Sequence, residues 1–231
     1  YTLIEKEKEW LAPVPILIAT FVKLYGVVGL GFFLFVKDKP KFIAALCCWA
    51  IIFFIAPMIL SSPAYVMDMY VEWFKALSVK NGENVSLTSY QDFSVMGFVR
   101  RVAGDPTIPN LPFLVFGVIL YALPYLRFKQ YKEDAFRMLI LASTLMFPVL
   151  FSSASEGSTY IIVFVGIAIW FVIQPRPFKW YDWSLLIFAM LFASLNSTDI
   201  YPREFRDLLR LHAFKAVPCA VIWLRIIYEL M

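Results

Sequence analysis

A polytopic, all-α transmembrane bundle of about seven hydrophobic segments, with short amphipathic helices in an outer loop, is the fold class this sequence predicts. Of its 231 residues, 61% are apolar and only 16% charged, where average soluble domains carry about 25% charged. A folded surface cannot hide that much apolar area from water. The apolar residues also come in long uncharged runs, at 43–60, 111–126, 138–151, 159–173 and 185–195. Each reaches or approaches the ~17–25 residues of a bilayer-crossing helix. The two shortest borrow flanking residues or stop short of a full crossing.

Cation placement orients these runs, because short cytoplasmic loops are enriched in Lys and Arg. The loops 37–41 (KDKPK), 127–137 (RFKQYKEDAFR) and 175–179 (PRPFK) carry cations and are expected inside. They alternate with 61–109, 152–158 and 196–210, expected outside, of which 152–158 has no cation. The C-terminus, with Arg225 near the inner edge, falls in the cytoplasm. The first stretch, 10–36, is too long for one ordinary span and carries Lys23 near its middle, followed by Gly26, Gly29 and Gly31. A single helix would bury that ammonium at a cost of ~2.5 kcal/mol or more. A broken or re-entrant pair, with Lys23 at the break, lets it face a wet cavity.

The outer loop 61–109 reads as a structured part of one transmembrane domain covering 1–231. Val66, Tyr70, Trp73, Phe74 and Leu77 fall on one helical face and Asp68, Glu72 and Lys75 on the other, the pattern of a helix lying in the membrane interface. A turn is expected at Asn81-Gly82. A second short helix is expected over 93–102, with Asp92 as N-cap and Arg100-Arg101 in the last turn, where cations suit the helix dipole. Tyr125, Trp170, Trp180, Tyr181 and Trp183 recur near segment ends, as an aromatic belt requires.

The net charge of +4 is spread along the chain. It forms no basic stripe, so nucleic acid is excluded as a partner. Cys47, Cys48 and Cys219 sit inside apolar runs and read as small apolar side chains. The sole histidine, His212, cannot build a metal site without carboxylate partners, so no metal is expected. No phosphate-binding glycine loop, dinucleotide fingerprint or nucleophile triad is present. Asn84-Val85-Ser86 and Asn196-Ser197-Thr198 fit the weak glycosylation-acceptor pattern. The chain opens on Tyr1 within a charged turn and shows no cleavable leader. It is therefore expected to be the C-terminal part of a longer protein.

Ionisable groups in or beside the membrane are the default functional candidates. Lys23 either snorkels to an interface or holds a phosphate as a point charge. Arg100 and Arg101 either complement a helix end or clamp a lipid phosphate. Glu156, the one charge in 152–158, is either a solvated carboxylate or a partner for sugar hydroxyls and protons. His212 and Lys215 stand where the last helix enters the membrane.

Several stretches are similar to glycosyltransferase family 87. Residues 19–30 (ATFVKLYGVVGL), a phenylalanine-rich half-span and the KDKPK turn resemble a segment of that family in which a lysine precedes an apolar run and a basic turn. YVEWFKAL at 70–77, then DFSVMGFVRR at 92–101, resemble its outer-loop pattern. That pattern reads Asn-Gln-Ser-Leu, a glycine two positions on, then arginine. Ser94, Gly97 and Arg100 or Arg101 match, while Asp92 and Phe93 replace the Asn-Gln pair. The serine-rich loop 152–159 lies where the family carries a similar turn with a glutamate.

The resemblance implies a GT-C-type, mannosyltransferase-like enzyme of the cell envelope, multi-pass in a bacterial plasma membrane. Such an enzyme takes a sugar from a polyprenyl-phosphate donor and passes it to a glycan or glycolipid acceptor hydroxyl on the outer face, with no cofactor. It implies donor-phosphate contacts from Lys23, Arg100 and Arg101, with Asp92 and Ser94 as further candidates. Inversion proceeds by a single displacement assisted by a carboxylate base. That base belongs to a first outer loop expected upstream of this chain, which leaves Glu156 as a weak stand-in and the fragment alone inactive. The rival classes are a transporter or lipid flippase, which calls for an inverted repeat and several midplane charges, and a non-catalytic subunit of a membrane complex. Only Lys23 sits that deep, and no repeat is visible.

Overall fold

The computed structural model describes residues 1–89 and 91–231, with the backbone alone at Asn81 and Ser197. Among the described residues all regular structure is helical: eleven α-helices joined by short 3-10 and π turns. The chain divides into two compact units, Tyr1–Val79 and Lys80–Met231.

In the first unit, the one-turn helix α1 (Thr2–Glu5) leads to α2 (Pro13–Val22). A proline opens α2, where its missing N–H costs nothing. At Lys23 the backbone turns extended and a 3-10 segment, Leu24–Phe35, begins. A Cβ on Gly26 would stand 2.4 Å from the Thr20 nitrogen and 2.6 Å from the Ile16 carbonyl oxygen. The second arm thus folds back onto α2, and only glycine admits that approach. The stretch is a broken hairpin with its lysine at the break.

Helix α3 (Lys39–Ile55) starts where the Asp38 carboxylate accepts the Lys41 N–H at 3.0 Å. With the turn Ala56–Ile59 it forms a continuous apolar rod of 21 residues, Lys39–Ile59. At 1.5 Å per residue that is about 31 Å, the thickness of a hydrocarbon core. Only 11% of its most apolar window is buried within the protein. Ile43, Ile51, Ile52 and Ile55 point outward, an apolar face of the kind that lipid or another protein surface covers. Helix α4 (Pro63–Asn84) returns from it, the Tyr70 hydroxyl donating to the Phe54 carbonyl at 2.9 Å. The turn expected at Asn81-Gly82 does not occur: α4 runs through both residues to Asn84. Nothing packs within 4 Å of Gly82 to break the helix there. Asn84 is buried, which closes the first acceptor pattern; the Ser197 side chain of the second lies outside the described residues.

The second unit is built on α7 (Asp134–Leu150), α8 (Tyr160–Val172) and α11 (Ala216–Leu230), with α9 (Trp180–Ala189) packed beside them. Their shared core holds Met146, Ile167, Trp170, Ile222, Trp223 and Ile226. A polar link across it, Trp223 Nε1–H to Ser143 Oγ at 3.0 Å, is the partner a buried indole N–H requires. Two further helices, α5 (Val95–Ala103) and α6 (Leu111–Ala122), precede this core. Helix α10 (Arg203–Leu211) meets α11 at 55°. Apart from Lys39–Ile59 and this bent pair, the apolar helices that form no longer span run 10–17 residues. Proline and 3-10 turns cut several of them short, as at Leu123–Leu126.

Candidate functional site

Helix α5 begins two residues later than its pattern predicts, at Val95, and its cap is Ser94, not Asp92. The Ser94 hydroxyl accepts the Gly97 N–H at 3.1 Å and donates to Asp92 Oδ1 at 2.5 Å. The other oxygen, Asp92 Oδ2, receives Arg100 Nη2 at 2.5 Å. Asp92 therefore does not cap the helix; its carboxylate is the counter-ion of an arginine two turns further on. Positions 94, 97 and 100 share one helical face, and a Cβ on Gly97 would lie 2.6 Å from the Asp92 carboxyl carbon. The missing side chain is what lets the ion pair close.

Arg100 is 1% exposed. Its Nη1 also donates to Asn110 Oδ1 at 2.6 Å and to the Ile108 carbonyl at 3.0 Å. These bonds hold the guanidinium inside a clasp tying the start of α5 to the approach of α6. Arg100, expected to contact the donor phosphate, stands here among Asp92, Asn110 and the Ile108 carbonyl. Its neighbour Arg101 turns the other way. It donates to the Ser89 carbonyl and, at 3.2 Å, to the Arg210 carbonyl at the end of α10, where a cation meets the negative end of the helix dipole.

Beside this clasp three segments expected outside come together. Phe93 N–H bonds the Ser155 carbonyl at 2.9 Å, and the Tyr160 hydroxyl bonds the Phe93 carbonyl. Against them lies α10, whose sequence REFRDLLRL puts Arg203, Arg206, Asp207 and Arg210 at i, i+3, i+4 and i+7, on one face. The result is a cleft of about 570 Å³ lined by Phe93, Gly157, Asn196, Arg203, Arg206, Asp207, Arg210 and Lys215. Four cations face one carboxylate. A second cleft, of about 610 Å³, lies along α10 between Arg101 and the 87–89 turn.

Lys215, just ahead of α11, is 8% exposed. Its ammonium donates to the Gly157 carbonyl at 3.3 Å and lies 5.1 Å from the Tyr160 ring. Burial lowers its pKa below the usual lysine value, a cost that an anion in the cleft would offset. Glu156 adjoins Gly157 in the loop bordering this cleft, and its carbonyl ties off the following turn through Thr159. His212 Nδ1–H donates to the Leu208 carbonyl at 2.9 Å, closing the end of α10. Arg206 also pairs with the exposed Asp199 at 2.5 Å, a contact of little worth in water. No cluster of His, Cys, Asp or Glu suited to a metal exists among the described residues.

Lys23 lies in the first unit, with its ammonium 4.6 Å from the Tyr25 ring centre. Of the residues singled out in the sequence, Lys215 lines the basic cleft, Arg101 the adjoining one, and Glu156 the neighbouring loop. Arg203, Arg206 and Arg210 were missed, because 196–210 reads as a polar loop. A helical-wheel count over 203–211 was the signal that could have found them.

Residues 1–153 match glycosyltransferase family 87. The match covers about two thirds of the chain, from the first residue through the Asp92–Arg100 clasp, and the residues of α10 and Lys215 follow it. No curated protein and no solved structure matches the chain. The chain belongs to glycosyltransferase family 87, whose members transfer a sugar from a donor to an acceptor and are membrane proteins.

Proposed function

We propose that this chain serves a membrane glycosyltransferase that moves a sugar from a polyprenyl-phosphate donor to an acceptor hydroxyl on the outer face of the membrane. The observation that carries this reading is the cleft of about 570 Å³ in which Arg203, Arg206, Arg210 and Lys215 face the single carboxylate Asp207. When the bond from sugar to phosphate breaks, negative charge grows on the departing phosphate. Cations that face the departing oxygen stabilise that charge more than they stabilise the ground state. Arginine suits the task, since its planar fork meets two phosphate oxygens at once. Glu156, beside the cleft, is placed to bond a sugar or acceptor hydroxyl.

The membrane placement follows the same reading. Lys39–Ile59 crosses by itself, and the shorter apolar helices cross together with their flanking turns, giving about seven passages in a bacterial plasma membrane. The cleft is formed by segments that the cation pattern assigns to the outer side, where a lipid-linked donor presents its sugar.

The test is transfer of radiolabelled sugar from a polyprenyl-phosphate donor by the full-length protein in proteoliposomes. Arg203→Ala with Arg206→Ala is expected to cut kcat/KM about 100-fold or more, as loss of transition-state charge stabilisation does. Unchanged transfer would remove the cleft from the reaction. Lys23→Ala and Arg101→Ala, measured alongside, decide the roles their positions suggested.

A further inference from the structure

A third cleft in the second unit joins the segments that the cation pattern assigns to the cytoplasmic side. It has a volume of about 320 Å³ and is lined by Ala135, Leu139, Ile173, Gln174, Pro175, Lys179, Tyr181, Asp182, Arg225 and Glu229. Two carboxylates and two cations meet in it. Asp182 is 1% exposed. Its Oδ2 accepts the Lys179 backbone N–H at 3.0 Å, and its Oδ1 has no hydrogen-bond partner among the described residues. Glu229 Oε2 accepts Gln174 Nε2–H at 3.0 Å and Trp170 Nε1–H at 3.2 Å. Glu229 Oε1 forms an ion pair with Arg225 Nε at 2.8 Å. Tyr181 offers its ring to both cations, 5.1 Å from the Arg225 guanidinium and 5.5 Å from the Lys179 ammonium.

A buried carboxylate oxygen without a donor costs roughly 1–3 kcal/mol or more, and among the described residues Asp182 Oδ1 is such an oxygen. The formal charge of the cleft balances, so it favours neither an anion nor a cation alone. A ligand that completes it brings N–H donors to the carboxylates and acceptor oxygens to Arg225 and Lys179, on one short tether. Its other wall is apolar, from Ala135, Leu139, Ile173 and Pro175.

We propose that this cleft binds the phosphoethanolamine head group of a membrane lipid, its primary ammonium on Asp182 and Glu229 and its phosphate on Arg225 and Lys179. A quaternary choline has no N–H to donate and leaves Asp182 Oδ1 without a donor. An anionic head group such as phosphoglycerol meets the cations but places hydroxyls where an ammonium fits. The cleft thus distinguishes between lipids of equal tail length.

The purified full chain, stripped in detergent and offered phosphatidylethanolamine, phosphatidylcholine or phosphatidylglycerol with matched acyl chains, tests this by native mass spectrometry. Phosphatidylethanolamine is expected to be retained about tenfold more tightly than phosphatidylcholine. Asp182→Asn, which keeps an acceptor for the Lys179 N–H, is expected to bring that preference within about twofold. Equal retention of the two lipids by the unaltered chain, or a preference that survives in Asp182→Asn, overturns the proposal. Lys179→Ala removes only an exposed cation and gives an answer even where Asp182→Asn does not fold. Several-fold weaker phosphatidylethanolamine binding supports the site, and unchanged binding overturns it. Soluble phosphoethanolamine is the remaining arm: binding of the soluble compound without retention of the lipid overturns the lipid as source. No arm reads sugar transfer, so the outcome is independent of the proposed activity.

Discussion

The Asp92–Arg100 clasp and the α10 cleft are both built on arginines of the second unit, and they differ in what surrounds the charge. In the clasp one guanidinium meets one carboxylate, an amide oxygen and a backbone carbonyl, all out of water. In the cleft four cations and the carboxylate of Asp207 line open space, with Asp199 on Arg206 as an exposed second partner. A buried ion pair with its hydrogen bonds nearly complete has little left to offer a ligand; its removal leaves an uncompensated charge. A surplus of cations facing a cavity attracts an anion from outside. The same residue type therefore holds the fold in one place and awaits a ligand in the other.

The largest expected effect lies in the clasp. Arg100→Ala or Asp92→Ala should cost about 3–5 kcal/mol, because either leaves a lone buried charge, and thermal unfolding in detergent reads it. The double replacement should cost less than the sum of the two, since it removes the orphan along with its partner. Unfolding temperatures matching the unaltered chain would put Arg100 back among ligand-binding candidates.

The cleft should answer in the opposite way. Arg206→Ala alone is expected to weaken donor use by tenfold or more, while stability moves by no more than about 0.5 kcal/mol, because its partner Asp199 is exposed. A loss of stability like that in the clasp would erase the contrast between the two regions.

Asn110→Ala sharpens the comparison from within the clasp. It removes one charge-assisted bond and keeps the ion pair, so a loss of about 1.5–3 kcal/mol is expected. Ser94→Ala, which takes away the cap of α5, should cost about 1 kcal/mol.

The smallest effect concerns pH. Burial lowers the Lys215 pKa, so raising the pH neutralises this lysine before an exposed one. If its charge holds the donor phosphate, kcat/KM falls as pH rises through that lowered value in the free enzyme. Lys215→Arg, charged throughout, is expected to flatten the alkaline limb of the kcat/KM profile. An alkaline limb unchanged in that variant assigns the titration to another group.

Much of this was legible in the sequence where the cause is local. Lys23 marks a break because an ammonium in the middle of a long apolar stretch is costly and glycines follow it. Asp38 caps α3 because carboxylate and N–H are three residues apart. The end of α5 is equally local: Gly104 adopts the left-handed backbone there (φ 68°), the usual stop after a helix. The start of α5 was misjudged because Asp92 and Ser94 are both good caps. Only the presence of Arg100 on the facing turn decides which of them is free to serve. Helix α10 was missed because its polar residues outnumber its apolar ones, although their spacing is helical.

The sequence by itself determined where the long apolar runs lie, that one of them breaks at Lys23, and which residues carry charge. Each of those follows from a short window of chain and the cost of moving its groups out of water. Only the tertiary structure decided which of two consecutive arginines is consumed and which stays at a cleft. Neighbours on a helix point about 100° apart, so Arg100 meets Asp92 and Asn110 while Arg101 meets the end of α10. That choice rests on residues as much as 109 positions away, and no local pattern encodes it.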